Sequence, residues 1–486
     1  MRKQVGLYNI ISRPFKAKGM LKSGESMIFC VNLRDKELII KVLRIIYVFL
    51  LLLLGILPHH GSAQTFELPA GQKMEKVRFE LINNLVIIPM EINGAQLTFI
   101  LDSGVSKPIL FNLYDQDSLQ LNNVAEITIN GLGEGEPIKA LSSYGNSFRV
   151  KGIQNNNQEV YVVIDKEMNF SPILGIPIHG IIGYDLFKDF VVDINYGSQT
   201  IKFIDPAYYT PKKGRKYETI PIWLHHNKAY VKGEVQLEDN PNVPVKLLVD
   251  TGSSDAVWLF QDDEKGLGIP DKNYEDYLGK GLNGQIFGRR TKVKRLKIGS
   301  FILSDAKVAF PNMESFGDLQ NIGDRNGSVG GEVLRRFNIV FNYPGREVTL
   351  RKNSNFKLPF QYNLSGLELQ HNGMRYIAER IANANGVVRK DDDSFGTVQI
   401  LMQNTTRLSL VPEIVVSGIR AGSPAAQAGL REGDVVLAVN GKSIHRYKLQ
   451  EVLKMINQKK GKRIKLLIER LNNDLLFSFV LKDVFE

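Results

Sequence analysis

Leu97-Thr98-Phe99-Ile100-Leu101-Asp102-Ser103-Gly104 and, 148 residues further on between the two Asp, Val245-Lys246-Leu247-Leu248-Val249-Asp250-Thr251-Gly252 are the stretches that decide the fold. Each is a short apolar strand pattern that runs into an Asp, a hydroxyl residue and a glycine. A single triplet of this kind reads as a turn or an Asx cap. Two in matched surroundings read as an internal duplication that brings a pair of carboxylates together.

The surroundings do match. Gly131 and Gly133 lie 29 and 31 residues after Asp102, and Gly279 and Gly281 lie 29 and 31 residues after Asp250. Ile181-Ile182-Gly183 places its glycine at +81, and Ser328-Val329-Gly330 places its glycine at +80. Aromatic-bearing patterns follow both, Leu186 to Tyr196 in the first copy and Leu334 to Tyr343 in the second. A register held over roughly a hundred residues exceeds what chance gives a three-letter motif. Between these landmarks come runs such as Val160-Tyr161-Val162-Val163-Ile164 and Glu347-Val348-Thr349-Leu350. The expected lobe is all β, with one short helix after Gly183 or Gly330. Gly104 and Gly252 lack side chains, so the two Asp loops can approach closely about a pseudo-twofold axis.

The chain has 486 residues, 43% hydrophobic and 23% charged, a globular composition long enough for two or three cores. Formal net charge is +11, of which residues 1–63 carry +7, so the remainder gives little support to nucleic-acid binding. Lys212, Lys213, Arg215 and Lys216 then read as a solvated linker. Lys41 and Arg44 precede a largely apolar run from Ile45 to Leu57, followed by Pro58 and Gly61-Ser62-Ala63. That pattern predicts an export signal cut after Ala63, with an uncleaved anchor as the rival. The run is shorter than the ~20 residues a spanning helix needs. The long segment before it suggests that translation starts later, for example at Met27. The expected location is outside the cytoplasm, periplasmic or secreted, with no stable membrane span after signal removal. Cys30, the sole cysteine, would be lost with the signal, leaving no disulfide or thiol nucleophile.

Over about residues 75–352 the chain resembles the retropepsin-like aspartic proteases, the group that includes the retroviral proteases and, more distantly, pepsin. The resemblance implies that Asp102 and Asp250 are a catalytic dyad and that Ser103 and Thr251 hydrogen-bond across the axis. Gly131, Gly133 and Gly135, with Gly279, Gly281 and Gly284, would form glycine-rich flaps over the cleft, while Gly183 and Gly330 pack beside the active loops. Ser103 stands where Thr is commoner, and keeps the hydroxyl. Two lobes in one chain imply a self-contained site. Two carboxylates roughly 3 Å apart share one proton, so one can take a proton from water while the other donates to the scissile carbonyl.

Other chemistries lack their motifs. The seven histidines include no His-Glu-Xaa-Xaa-His, and His225-His226 has no further ligand at recognisable spacing, so no metal site is expected. No Gly-Xaa-Ser-Xaa-Gly elbow or P-loop occurs, and no cofactor is expected.

Ala421-Gly422-Ser423-Pro424-Ala425-Ala426-Gln427-Ala428-Gly429-Leu430, followed by Gly433-Asp434 and the run to Asn440-Gly441, resembles a bacterial PDZ domain. Pro424 can open a short helix that Gly429 closes, and Asn440-Gly441 suits a tight hairpin. Leu449, Val452, Leu453 and Ile456 fall on one helical face before a strand from Ile464 to Ile468. By resemblance, Leu364-Ser365-Gly366-Leu367 could be the loop that binds a peptide carboxylate; an ordinary turn before a strand is the other reading. The stretch from Asn372 to Val411, with Asp391-Asp392-Asp393, is longer than PDZ domains usually allow there.

The expected organisation is therefore an export region (1–63), two protease lobes (64–205 and 206–355) and a PDZ domain (356–486). The expected partners are a polypeptide substrate in the cleft and a peptide ligand at the PDZ groove. The rival reading is an exported peptide-binding protein whose protease cleft is silent.

Overall fold

A computed structural model describes residues 65–485 apart from 114–118, 134, 166–167, 321–322 and 389–398, together with Arg44 and Tyr47. Apart from Arg44 and Tyr47, the expected signal lies outside the described residues, as do Cys30, the cut after Ala63 and the Asp391-Asp392-Asp393 run. Among the described residues no helix is long and apolar enough to cross a membrane.

Each apolar run that ends in an Asp is a strand, Ala95–Leu101 in lobe 1 and Val243–Val249 in lobe 2. The lobe 1 sheet runs, neighbour by neighbour, Glu80–Ile82, Leu85–Ile92, Ala95–Leu101, Gly180–Ile182, Ile109–Leu110, Ile153–Val163, Ile138–Val150, Val124–Ile129. Lobe 2 repeats that order with Trp223–His225, Lys228–Gln236, Val243–Val249, Gly327–Val329, Val257–Leu259, Phe301–Pro311, Gly284–Ile298 and Tyr274–Gly281. Both sheets also close through the same extra pairing, Leu85–Ile92 with Ile138–Val150 and Lys228–Gln236 with Gly284–Ile298. Eight strands in one order, twice, are the duplication that the offsets predict.

In each lobe the Asp-bearing strand runs parallel to the strand before Gly183 or Gly330, with Leu101 beside Ile182 and Val249 beside Val329. Short helices, Tyr184–Asp189 and Gly331–Leu334, follow at once. Neither is long enough to persist alone, so burial of Leu186, Phe187, Val333 and Leu334 holds them in place.

A third sheet joins the lobes. Its order is Met74–Arg78, Thr200–Ile204, Val191–Asn195, Phe337–Asn342, Glu347–Lys352, Glu218–Pro221, three strands from each half. At its centre Val192 faces Phe341 and Ile194 faces Ile339 across an antiparallel pair. Phe187 of lobe 1 stacks on Tyr343 of lobe 2 at 5.2 Å and meets Phe341 edge-on at 5.1 Å. One apolar core thus spans both halves, and truncating such a buried Phe to Ala costs roughly 3–5 kcal/mol.

The C-terminal module has its own core, built from Leu367, Leu369, Val416, Leu449, Val452, Ile456, Leu466 and Ile468 among others. Ser423 caps the helix Pro424–Gln427, and Asn440 and Gly441, both at positive φ, make the turn after Val435–Val439. The apolar face Leu449, Val452, Ile456 of the helix Leu449–Ile456 is buried. The overlong stretch is a two-stranded ribbon in which Leu367–Val388 pairs with Gln399–Ile419 well past the rest of the sheet. Residues after 355 do not pass straight into this core. Phe356 and Phe360 pack on the core shared by the lobes, and the buried Arg336 donates to the carbonyls of Asn355, Phe356, Leu358 and Pro359.

Candidate active site

The two Asp loops are held by a reciprocal lattice of hydrogen bonds. The Ser103 amide donates to Thr251 Oγ1 (2.9 Å) and the Thr251 amide to Ser103 Oγ (3.1 Å). Each hydroxyl then donates to the carbonyl two residues before the other, Ser103 Oγ to Val249 (2.6 Å) and Thr251 Oγ1 to Leu101 (2.8 Å). Both side chains are buried. The arrangement sets Asp102 and Asp250 side by side, both carboxyls facing Gly104. Gly104 N–H donates to Asp102 Oδ1 (2.6 Å), and Gly252 N–H donates to Asp250 Oδ1 (3.0 Å).

Contact at this range requires the glycines. A Cβ on Gly252 would overlap the Asp102 carboxylate, while one on Gly104 would stand 3.1 Å from Asp102 Oδ1 and 3.2 Å from Asp250 Oδ1. Protein surrounds the pair closely, though both side chains keep partial solvent access. Burial first, and then the Asp250 charge, push the Asp102 carboxyl well above the usual carboxylate range. Such a pair holds one proton between its members over a wide pH interval.

The glycine-bearing hairpin segments expected to be flaps meet each other. Gly131 N–H donates to Asn283 Oδ1 (2.9 Å), Asn283 N–H to Leu132 O (2.8 Å) and Gly135 N–H to Asn283 O (2.6 Å). Gly133 N–H reaches Ser315 O (2.8 Å). The tips exchange side chains: Leu282 packs against the lobe 1 cluster of Ile82, Leu85, Phe111 and Ile178, and Leu132 packs against the lobe 2 cluster of Trp258, Phe260 and Phe316. Gly279 and Gly284 lie at positive φ within the lobe 2 hairpin.

Beneath the lobe 2 loop lies a buried ionic network absent from the motif reading. Arg290 on the flap strand donates to Asp255 (2.7 Å) and Asp276 (2.7 Å), and Lys307 pairs with Asp255 (3.3 Å) and Glu332 (2.7 Å). Burial opposes charge on Asp255, yet Arg290 and Lys307 hold its carboxyl well below the usual range. Lobe 1 keeps the pair with its signs exchanged: Lys107 binds Glu159 where lobe 2 has Asp255 and Lys307. The signal was available, since both pairs are 52 residues apart and start five residues after the Asp.

At the C-terminal module, Leu364-Ser365-Gly366-Leu367 leads into the strand Leu367–Val388 and sits beside the C-terminal end of the helix Leu449–Ile456. Its amides are already satisfied, Ser365 by Asn457 Oδ1 (2.9 Å), Gly366 by Asn363 Oδ1 (2.9 Å) and Leu367 by Ser365 Oγ (3.2 Å). The first turn of that helix rests on lobe 1, where Gln450 Nε2 donates to Leu174 O (2.6 Å). The module also touches the lobe 2 flap strand: the Arg420 guanidinium lies 4.7 Å from the Tyr274 ring, whose other neighbour is Phe485 at 5.7 Å. Nearby, burial and then Asp276 push Glu368 up to about 7. His225 and His226, read as surface residues, are exposed.

The aspartyl protease family pattern matches residues 88–186 and again residues 231–327, one match to each lobe and each enclosing one of the paired Asp. The PDZ domain pattern matches residues 415–470, which hold the helix Leu449–Ile456 but not the loop at Leu364. The chain is thus built from two retropepsin-like aspartyl protease regions followed by a C-terminal PDZ domain.

Proposed function

We propose that this chain is an aspartic-type endopeptidase in which Asp102 and Asp250 act on a single water. The observation that carries the reading is the pair of carboxyls held in contact by the crossed Ser103 and Thr251 bonds. With one proton between them, the ionised Asp takes a proton from the water as it attacks the scissile carbonyl, and the protonated Asp donates to the carbonyl oxygen. No covalent intermediate forms. The Gly131 to Gly135 and Gly279 to Gly284 flaps must part to admit an extended polypeptide and then close over it, excluding bulk water. Because both lobes come from one chain, a monomer is competent. The PDZ module receives a polypeptide segment and presents it to the cleft through its contacts with both lobes. The signal-like run before Gln64 supports a location outside the cytoplasm, periplasmic or secreted.

Digestion of a peptide library by the purified chain starting at Gln64, followed by mass spectrometry, tests the reading. Internal cleavage whose specific rate does not change with enzyme concentration is expected. A rate that falls on dilution would count against a self-contained site.

A further inference from the structure

The two halves of the cleft are not chemically equivalent. In lobe 1, Ile87 pairs with Ile100, and the same register carried two residues on sets Leu85 opposite Asp102. In lobe 2, Tyr230 pairs with Leu248, and the matching step sets Lys228 opposite Asp250. A second difference falls on the strand that flanks the other side of each Asp. Ile178, two residues before Gly180–Ile182, is buried in the lobe 1 cluster with Leu85 and Ile87. Its counterpart two residues before Gly327–Val329 is Arg325. Where lobe 1 offers apolar side chains on both flanks of its Asp, lobe 2 offers two cations.

Those cations are not used internally. Among the described residues the Lys228 ammonium has no side-chain hydrogen bond or ion pair, and the Arg325 guanidinium makes only an Nε–H bond to Gly327 O (2.9 Å) while lying 5.2 Å from the Phe260 ring. Both are partly withdrawn from solvent. Burial, and then repulsion from Arg325, push the Lys228 ammonium below its usual value. Two like charges are therefore held near each other at a cost, with no carboxylate between them other than the dyad. A dyad that shares one proton carries a single negative charge, so one positive charge in the site has no counterion.

We infer that Lys228 and Arg325 form a carboxylate-binding subsite on the lobe 2 side of the cleft, which selects polypeptides bearing a negative group next to the scissile bond. The carboxylate could be a Glu or Asp side chain or the free C-terminus of a short substrate; the shared chemistry is an anion meeting an ammonium and a guanidinium. This inference rests on the protease reading above and names its substrate class.

The test uses the chain from Gln64 with peptide pairs that differ only in Glu against Gln at each position flanking the cleaved bond, and in free against amidated C-termini. Wild-type kcat/KM should favour the anionic member of one pair by ~10-fold or more, equivalent to about 1.4 kcal/mol. The pair affected identifies the source of the carboxylate. Lys228→Leu combined with Arg325→Ile, which installs the lobe 1 residues, should bring that ratio to about one. Taking the ratio within one enzyme cancels any effect of Lys228 on the dyad itself. Lys228→Glu should reverse the preference toward a Lys-bearing peptide, and serves if the double variant fails to fold. Equal wild-type rates within every pair would overturn the inference and leave the protease reading standing. Failure of the wild type to cleave any peptide, neutral or anionic, would instead overturn the protease reading and the inference with it.

Discussion

Ser103 and Thr251 each accept the other's backbone amide and donate to a carbonyl on the other's strand, so neither Asp loop is complete without its partner. Thr251→Val would strand the Ser103 amide and the Leu101 carbonyl in a buried site. The expected loss is roughly 2–4 kcal/mol of stability, read by chemical denaturation, with a fall in kcat. Thr251→Ser keeps the hydroxyl and should recover most of both. A double-mutant cycle with Ser103→Ala should show coupling of about 1–2 kcal/mol, and strict additivity would argue that the crossed bonds do not act as a unit.

The two glycines of the dyad predict unequal outcomes. Gly252→Ala forces a methyl into the Asp102 carboxylate, whereas Gly104→Ala adds one at 3.1 Å from the nearest oxygen. Hydrolysis should vanish in the first variant and survive at a reduced level in the second. Comparable activity in both would contradict the contact geometry.

Activity should follow a bell-shaped pH profile whose alkaline limb reflects loss of the shared proton. The Lys228 charge pulls the Asp102 carboxyl down against the larger influences of burial and Asp250. Lys228→Gln removes that pull, so Asp102 keeps its proton to higher pH and the alkaline limb should move upward. The stability effect has a definite sign as well. A carboxyl raised by folding stabilises fully below its unfolded value near 4 and loses that contribution as pH climbs through the folded value. Asp102→Asn should therefore be more stable than wild type at pH 7, by on the order of 2 kcal/mol in unfolding free energy, and much less so at pH 3.

A chain ending at Asn355 would deprive Arg336 of its acceptors on Leu358 and Pro359 and of the Phe360 ring 3.8 Å away. It should be less stable by roughly 2–4 kcal/mol than a chain ending at Gln361, whose amide also binds Glu332 (2.9 Å). The chain ending at Gln361 is the cleaner probe of the PDZ module. Short peptides should still be cleaved, while protein substrates lose rate, if the module presents a bound segment to the cleft as proposed. An unchanged ratio of the two rates would exclude a tethering role.

Much of this was legible in the chain because duplication leaves evidence that no single motif does. Asp102 and Asp250, Gly131 and Gly279, Gly183 and Gly330 repeat at matched spacing, and the two sheets repeat one strand order in step with it. The joining sheet was not legible: Val191–Asn195 and Phe337–Asn342 read as strands, but β-branched runs do not say which strand they pair with. Lys228 and Arg325 also escaped notice. A lone basic residue is ordinarily solvated, and only the register against Asp250 places Lys228 in the cleft. At the loop from Leu364 to Leu367, Asn363 and Asn457 occupy the amides, and the contact across 92 residues between Ser365 and Asn457 is one that no local pattern encodes.

The central claim is that one proton shared by two carboxyls drives hydrolysis. It is tested most directly by kcat/KM for a cleaved peptide in Asp102→Asn and Asp250→Asn, each first shown by circular dichroism and denaturation to be folded. Either substitution leaves a single carboxyl that cannot be base and acid at once, so both should lose at least ~10³-fold in rate. Near-normal turnover by either folded variant would contradict the account.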